Sequence, residues 1–214
     1  MVLVAPSLLS ANPANLGKDI RDLENAQADL LHFDVMDGHF VPNMTYGPNV
    51  LRALKKEVKL PFDVHLMVNQ PEKFIPWYAD AGADIITFHI EATDDADYLI
   101  KLIKSYKIKA GISLKPKTDM ACLAKLKELP DLFLVMGVEP GFGGQSFLED
   151  TPGRITFVKK LFPHSVMIEV DGGINVQTAK LAREAGADIL VAGTAVFING
   201  AFIQNIRMIK GETL

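Results

Sequence analysis

"AGADILVA" (residues 185–192) carries the end of an amphipathic stretch into a short apolar run, and two near copies stand upstream, "AQADLLHF" (26–33) and "AGADIITF" (81–88). The shared aspartate falls at 29, 84 and 188, intervals of 55 and 104 residues, or about one and two double βα units. A unit recurring at near-constant length marks a repeating architecture. Eight apolar, β-branched-rich runs of strand length keep the same rhythm, at 3–9, 30–36, 62–67, 84–90, 108–114, 132–138, 166–172 and 188–193. Between them lie helical patterns such as 13–27 and 175–186, the latter opened by an N-cap candidate, Asn175, and closed by Gly186. Strands joined through helices run parallel, because only a long crossover returns the chain to the same end of the sheet. Eight such units predict an α/β fold, a (β/α)8 TIM barrel forming a single domain over residues 1–214. An open doubly wound sheet is the alternative, but its G-x-G-x-x-G fingerprint does not follow the first strand.

The bulk properties exclude several functions. The formal net charge is −4 and no block of Lys or Arg occurs, so a phosphate-backbone binder is disfavoured and no nucleic-acid partner is expected. No apolar run approaches the ~20 residues that span a bilayer, and the N-terminus lacks a basic segment ahead of a hydrophobic one. The single cysteine, Cys122, precludes an intrachain disulfide. Its position in the helical pattern "DMACLAKLKEL" (119–129) reads as a packed thiol. A cytoplasmic protein with no membrane contact is expected.

In a barrel of this kind, active-site groups sit at the C-terminal ends of the strands. The second run, "LLHFDVM", places His32, Asp34 and Met36 on one face, because side chains alternate with period two. The third, "FDVHLM", does the same with Asp63, His65 and Met67, and the seventh ends in Asp171 before two glycines. A lone strand histidine is most often a hydrogen-bonded core residue. Two strands with matching residue types and endings weaken that reading. Buried carboxylates also require a cation among them, since an unpaired buried charge costs several kcal/mol. Two imidazoles and two carboxylates suit a divalent transition metal: zinc, iron, manganese or cobalt.

A second constellation follows strands 6 to 8. "VEPGFGGQSF" (138–147), "DGGIN" (171–175) and "AGTAVF" (192–197) are glycine-bearing loops that can turn N–H groups toward an anion. Such barrels seat phosphate there, with the N-terminus of a short helix, here after Gly193, aimed at it. The bland alternative is that the glycines only make tight turns. Together the two constellations predict a small phosphorylated substrate whose reactive end lies over the metal.

"PSLLSAN", "HFDVMDGHFVPN", "DVHLMV", "MGVEPGFGGQSF" and "EVDGGI" closely resemble the ribulose-phosphate 3-epimerase family, in family order from Pro6 to about Phe197. The resemblance implies interconversion of D-ribulose 5-phosphate and D-xylulose 5-phosphate, in the pentose phosphate pathway, through a metal-stabilised enediolate. It implies one divalent metal ion on His32, Asp34, His65 and Asp171, with Asp34 and Asp171 as the acid/base pair. Substrate contacts are implied for Ser7, His65, Asp171, Gly141, Phe142, Gly143, Gly144, Gly172, Gly173, Gly193 and Thr194. It also implies a homo-oligomer, a dimer or larger. Family members often carry serine where Thr194 stands; threonine keeps the hydroxyl and adds a methyl. "ISLKPKT" (112–118) departs from a commoner asparagine-proline form.

The chemistry accounts for these residue types. Epimerising a carbon beside a ketone takes a proton from one face and returns one to the other, which two carboxylates can do. Met36, Met67 and Met136 would form an apolar wall beside the planar intermediate, unless they only fill the core. Phe40 or His39 would help close the loop 37–43, His89 would stand behind the ligands or simply be structural, and His164 would lie on the surface. Three rivals remain at this point. D-allulose 6-phosphate 3-epimerase would use the same metal and carboxylates. Decarboxylase and aldolase barrels carry Asp-x-Lys-x-x-Asp on strand 3, where this chain has Asp63-Val64-His65 and no lysine. A non-catalytic sugar-phosphate binder would be expected to lose a ligand, and none is missing.

Overall fold

The computed structural model describes residues 2–212. All eight expected runs become strands: β1 (Leu3–Pro6), β2 (Leu31–Met36), β3 (Phe62–Met67), β4 (Ile85–His89), β5 (Lys109–Leu114), β6 (Leu132–Met136), β7 (Met167–Asp171) and β8 (Ile189–Ala192). They form one parallel sheet in the order 1-8-7-6-5-4-3-2. One parallel bridge, Ser7 to His32, spans the remaining seam between β1 and β2. The result is a (β/α)8 barrel. β1 stops three residues earlier than its apolar run. Beyond Pro6 the chain bends into a short 3-10 turn, Leu8–Ser10, whose start is capped by the Ser7 hydroxyl accepting from the Leu9 amide.

The helices are α1 (Leu16–Asn25), α2 (Pro48–Leu54), α3 (Pro71–Ala81), α4 (Ala96–Ser105), α5 (Thr151–Leu161), α6 (Val176–Ala185), α7 (Thr194–Phe197) and α8 (Phe202–Lys210). α6 begins and ends as its sequence predicts. Asn175 and Thr178 form a reciprocal capping box, and Gly186 closes the helix at φ 107°. The pattern around Cys122 does not become an α-helix. It forms a 3-10 helix, Met120–Lys125, so the β5–β6 crossover lacks α-helix altogether. The Lys127 and Glu128 amides both donate to Asp97 Oδ1, which holds the chain open where helical bonding would have needed those donors. Cys122 is half-buried against the core there, and burial pushes its thiol pKa up.

The recurring aspartates have a structural use. Asp29, Asp84 and Asp188 stand just before β2, β4 and β8. Each accepts the first or second amide of a neighbouring strand, from Val4, Phe62 and Ile168, all at 2.8 Å. Each is also paired with a lysine: Lys210, Lys55 and Lys159. Asp131 does the same for the Ala110 amide before β6, at 2.9 Å. These carboxylates pin the register at the N-terminal end of the barrel, away from the strand ends that carry chemistry.

Period-two alternation splits the strand residues into an outer apolar shell under the helices and an inner lining. That lining is divided. β1, β6 and β8 supply Ala5, Leu132, Leu134, Met136, Ile189 and Val191. β2, β3, β4, β5 and β7 supply buried polar groups, His32, Asp34, Asp63, His65, Thr87, His89, Ser113 and Glu169. Half of the lumen is therefore a packed core and half is a polar network that must satisfy itself.

Candidate active site

His32 is the second residue of β2, deeper than a strand end, and Asp63 is its register partner on β3. One step along the same face Asp34 pairs with His65, and one further Met36 pairs with Met67. Asp171 arrives from β7, at the far side of the β1–β8 pair. The chain beyond β2 is fixed by Thr45, whose hydroxyl donates to the Asp34 carbonyl at 2.7 Å and accepts from the Met36 amide at 3.0 Å.

The four residues expected as metal ligands converge, with donor atoms all within 4.8 Å of one another. His65 Nδ1 lies 3.3 Å from Asp34 Oδ1, and His32 Nε2 lies 3.4 Å from both Asp34 Oδ1 and His65 Nδ1. His32 Nε2 to Asp171 Oδ2 is 4.0 Å. Donors about 2.1 Å from one tetrahedral centre stand about 3.4 Å apart, so spacing and donor chemistry both fit a divalent transition metal. The cluster can hold such an ion. His32 turns its other nitrogen, Nδ1, to Asp63 Oδ2 at 2.6 Å. A carboxylate behind an imidazole fixes the ring and raises its basicity as a ligand.

The electrostatics separate the two carboxylates. Burial raises the Asp34 pKa, but the adjacent His32 and then His65 outweigh it and hold the carboxyl far below the usual range. Asp171 moves the other way, pushed up to about 6 by burial first and by the nearby Asp34 charge after it. Burial lowers the His32 pKa, yet Asp34 and Asp63 more than offset this and raise it well above 6.5. One face of the site thus carries an ionised carboxylate and the other a carboxyl that keeps its proton more easily.

Sequence reading overlooked Glu169. It sits two residues before Asp171 on the same inward face, 3.8 Å from His32 Nδ1, and neither of its oxygens has a hydrogen-bond partner. Burial, then the Asp63 charge, raises its pKa well above the ordinary carboxylate value. Period-two alternation, counted back from Asp171 along β7, would have found it. His89 stands behind His65, its Nε2 2.8 Å from His65 Nε2, while His164 is exposed in the loop before β7.

Above the cluster opens a cleft of about 330 Å³, small for a ligand site. Asp34 and Asp171 reach its floor, and the two histidines lie fully buried behind them. Met36, Met67 and Met136 line it, and so do Ser7, Gly141, Phe142, Gly143, Gly144, Gly172, Gly173, Gly193 and Thr194. His65 alone of the expected substrate contacts does not. Ser7 donates its hydroxyl to Asp34 Oδ2 at 2.8 Å. The three glycine loops serve different needs. A Cβ on Gly173, at φ 67°, would fall 2.5 Å from the Phe147 amide nitrogen, whereas Cβ atoms on Gly143 and Gly144 would meet nothing within 4 Å. Backbone packing demands the first, and the other two face open space. Asn43 ties the loops together over the mouth by donating to the Gly141 carbonyl at 2.7 Å.

Fold and site together define a (β/α)8 barrel with a buried His/Asp donor cluster under a glycine-looped cleft. The model of the ribulose-phosphate 3 epimerase family matches residues 3–197, and the chain belongs to that family, enzymes of the isomerase class. Ribulose-phosphate 3-epimerase of Bacillus subtilis (strain 168) is 47% identical over 216 residues, covering 99% of this chain and all of that one. The Escherichia coli (strain K12) protein of the same name is 45% identical over 214 residues, 98% of this chain and 95% of that one. Among solved structures, 3-hexulose-6-phosphate synthase superposes with a TM-score of 0.68 at 20% identity over 98% of each chain, a likeness of fold alone. No helix among the described residues is long and apolar enough to cross a membrane.

Proposed function

We propose that the cleft interconverts D-ribulose 5-phosphate and D-xylulose 5-phosphate by proton transfer at C3, with Asp34 and Asp171 as the two acid/base groups. The observation that carries this reading is their placement: Asp34 and Asp171 both reach the floor of the cleft, from strands either side of the β1–β8 pair, and converge on one donor cluster. A single base would return the proton to the face it came from. Here Asp34 withdraws it, Asp171 delivers one from across the cleft, and the roles exchange in reverse. The Ser7 hydroxyl, donating to Asp34 Oδ2, leaves Oδ1 as the oxygen turned to the donor cluster. Glycine N–H groups from the loops after β6, β7 and β8 hold the phosphate, aided by Thr194. Met36, Met67 and Met136 exclude water from the planar intermediate without competing for its protons. A divalent cation held by His32, Asp34, His65 and Asp171 would supply electrostatic stabilisation for the oxyanion that develops as C3 is deprotonated.

The test is incubation of the protein, supplied with zinc, manganese, iron or cobalt, with D-ribulose 5-phosphate in deuterated water, followed at C3 by NMR. D-xylulose 5-phosphate bearing deuterium at C3 is expected. The absence of both exchange and product would overturn the proposal. D-allulose 6-phosphate is run in parallel, and a higher kcat/KM on it would move the substrate from pentulose to hexulose.

A further inference from the structure

A line of buried side chains leads from the ligand cluster to the rim of the cleft and is not used by the chemistry above. His65 presents Nδ1 to Asp34 and His32, and its Nε2 lies 2.8 Å from His89 Nε2. His89, fully buried, turns Nδ1 toward Glu91 Oε2 at 3.6 Å, and Nδ1 has no hydrogen-bond partner in that geometry. Glu91 Oε1 accepts from the Lys115 amide at 2.7 Å and from the Thr118 hydroxyl. The Phe40 ring packs on His89, centroids 5.0 Å apart, and Lys115 Nζ stands 3.8 Å over the Phe40 ring.

We infer that His89 and Glu91 are positioning residues that fix His65 as a ligand and couple cation occupancy to the loop after β5 and to Phe40. This rests on the proposed site. The argument concerns where protons sit, as the geometry assigns them. A ligating nitrogen must be unprotonated, so His65 binding through Nδ1 carries its proton on Nε2. Two ring nitrogens 2.8 Å apart share one proton, so His89 accepts through Nε2 and keeps its own proton on Nδ1. That proton points at Glu91, which is already bound to the loop carrying "LKPKT" (114–118). In the opposite arrangement His89 would face a carboxylate with a bare lone pair, and the contact would loosen. Cation binding and loop attachment therefore favour one proton arrangement, and each strengthens the other by the same factor. The departure at "ISLKPKT" acquires a use: Lys115 gives its amide to Glu91 and its ammonium to Phe40.

The test uses zinc, which is diamagnetic. Long-range proton–nitrogen spectra of protein labelled with 15N-histidine are recorded with and without Zn2+, alongside Zn2+ affinity by chelator competition. His89 in the Nδ1–H form when loaded is expected. His89→Phe keeps a ring against Phe40 but cannot accept from His65, and should lose about tenfold or more in Zn2+ affinity. Glu91→Gln should lose less affinity and raise KM, its loop anchor weakened, and it decides the matter if His89→Phe does not fold. The Nε2–H form of His89 in the loaded protein, or affinities within twofold of wild type in both variants, would overturn the inference. The nitrogen spectra and the Zn2+ affinities need no turnover, so a protein inactive on D-ribulose 5-phosphate but showing this pattern in both sinks the proposed substrate and leaves the coupling standing.

Discussion

Asp63→Asn isolates what the carboxylate behind His32 contributes, because the substitution keeps shape and removes charge. His32 Nδ1 and Asp63 Oδ2 are 2.6 Å apart and both residues are fully buried, so the bond is charge-assisted and unscreened by water. A hydrogen bond to a charged partner is worth about 1.5–3 kcal/mol against about 1 kcal/mol for a neutral one. The difference, about 0.5–2 kcal/mol, acts on the ring whose other nitrogen faces the proposed cation site. At about 1.4 kcal/mol per factor of ten, Zn2+ or Mn2+ binding weakens by about tenfold. An asparagine that turns its amide to Nδ1 would move the ring proton to Nε2 and increase the loss toward about a hundredfold, the upper end for residues behind a ligand. The assay is chelator competition, with circular dichroism melts confirming a cooperative fold. Metal affinity within twofold of wild type in a folded variant would refute the reasoning.

Three further outcomes are expected. Asp34→Asn and Asp171→Asn should each lower kcat by about a thousandfold or more while the barrel still melts cooperatively, and full activity in either would refute the two-base assignment. In chelator, stability should fall as pH rises from about 4 to about 6. A carboxyl raised to about 6, as Asp171 is, binds its proton more tightly folded than unfolded, so its contribution is present below the unfolded pKa and is lost through that window. Melts of wild type and Asp171→Asn across this range check it: the variant should lack that component. Gly173→Ala should cost about 1–3 kcal/mol in denaturant unfolding, since it combines φ 67° with a Cβ 2.5 Å from the Phe147 nitrogen, and should raise KM for the phosphorylated substrate.

How much was legible in the chain depends on the range of the interaction. All eight strands were, because burial on a barrel repeats every two residues and leaves a local pattern. α6 was, because Asn175 and Gly186 act within one helical turn. The 119–129 segment misled, because its helical spacing is local whereas Asp97, thirty residues away, takes the two amides that decide it. The aspartates at 29, 84 and 188 were visible as a repeat, but their use as register pins was not, since each bonds a strand other than its own. Glu169 was overlooked for a related reason: beside Asp171 it looks like one more charge, and only its burial beside Asp63 and His32 sets its raised pKa.

The sequence by itself determined the architecture and the types of residue at the site, because alternation along a strand decides which side chains face inward. It also determined that two imidazoles and two carboxylates share that face, and that glycine loops stand beyond strands 6 to 8. The tertiary structure decided what those groups are to one another. Asp34 is held far below the usual carboxylate range while Asp171 is pushed up to about 6, His32 faces the site through Nε2 and His65 through Nδ1, and Asp63 and His89 stand behind them. Ionisation and ring orientation are set by distances across the barrel, between residues 24 to about 140 positions apart in the chain, and no local pattern records a distance.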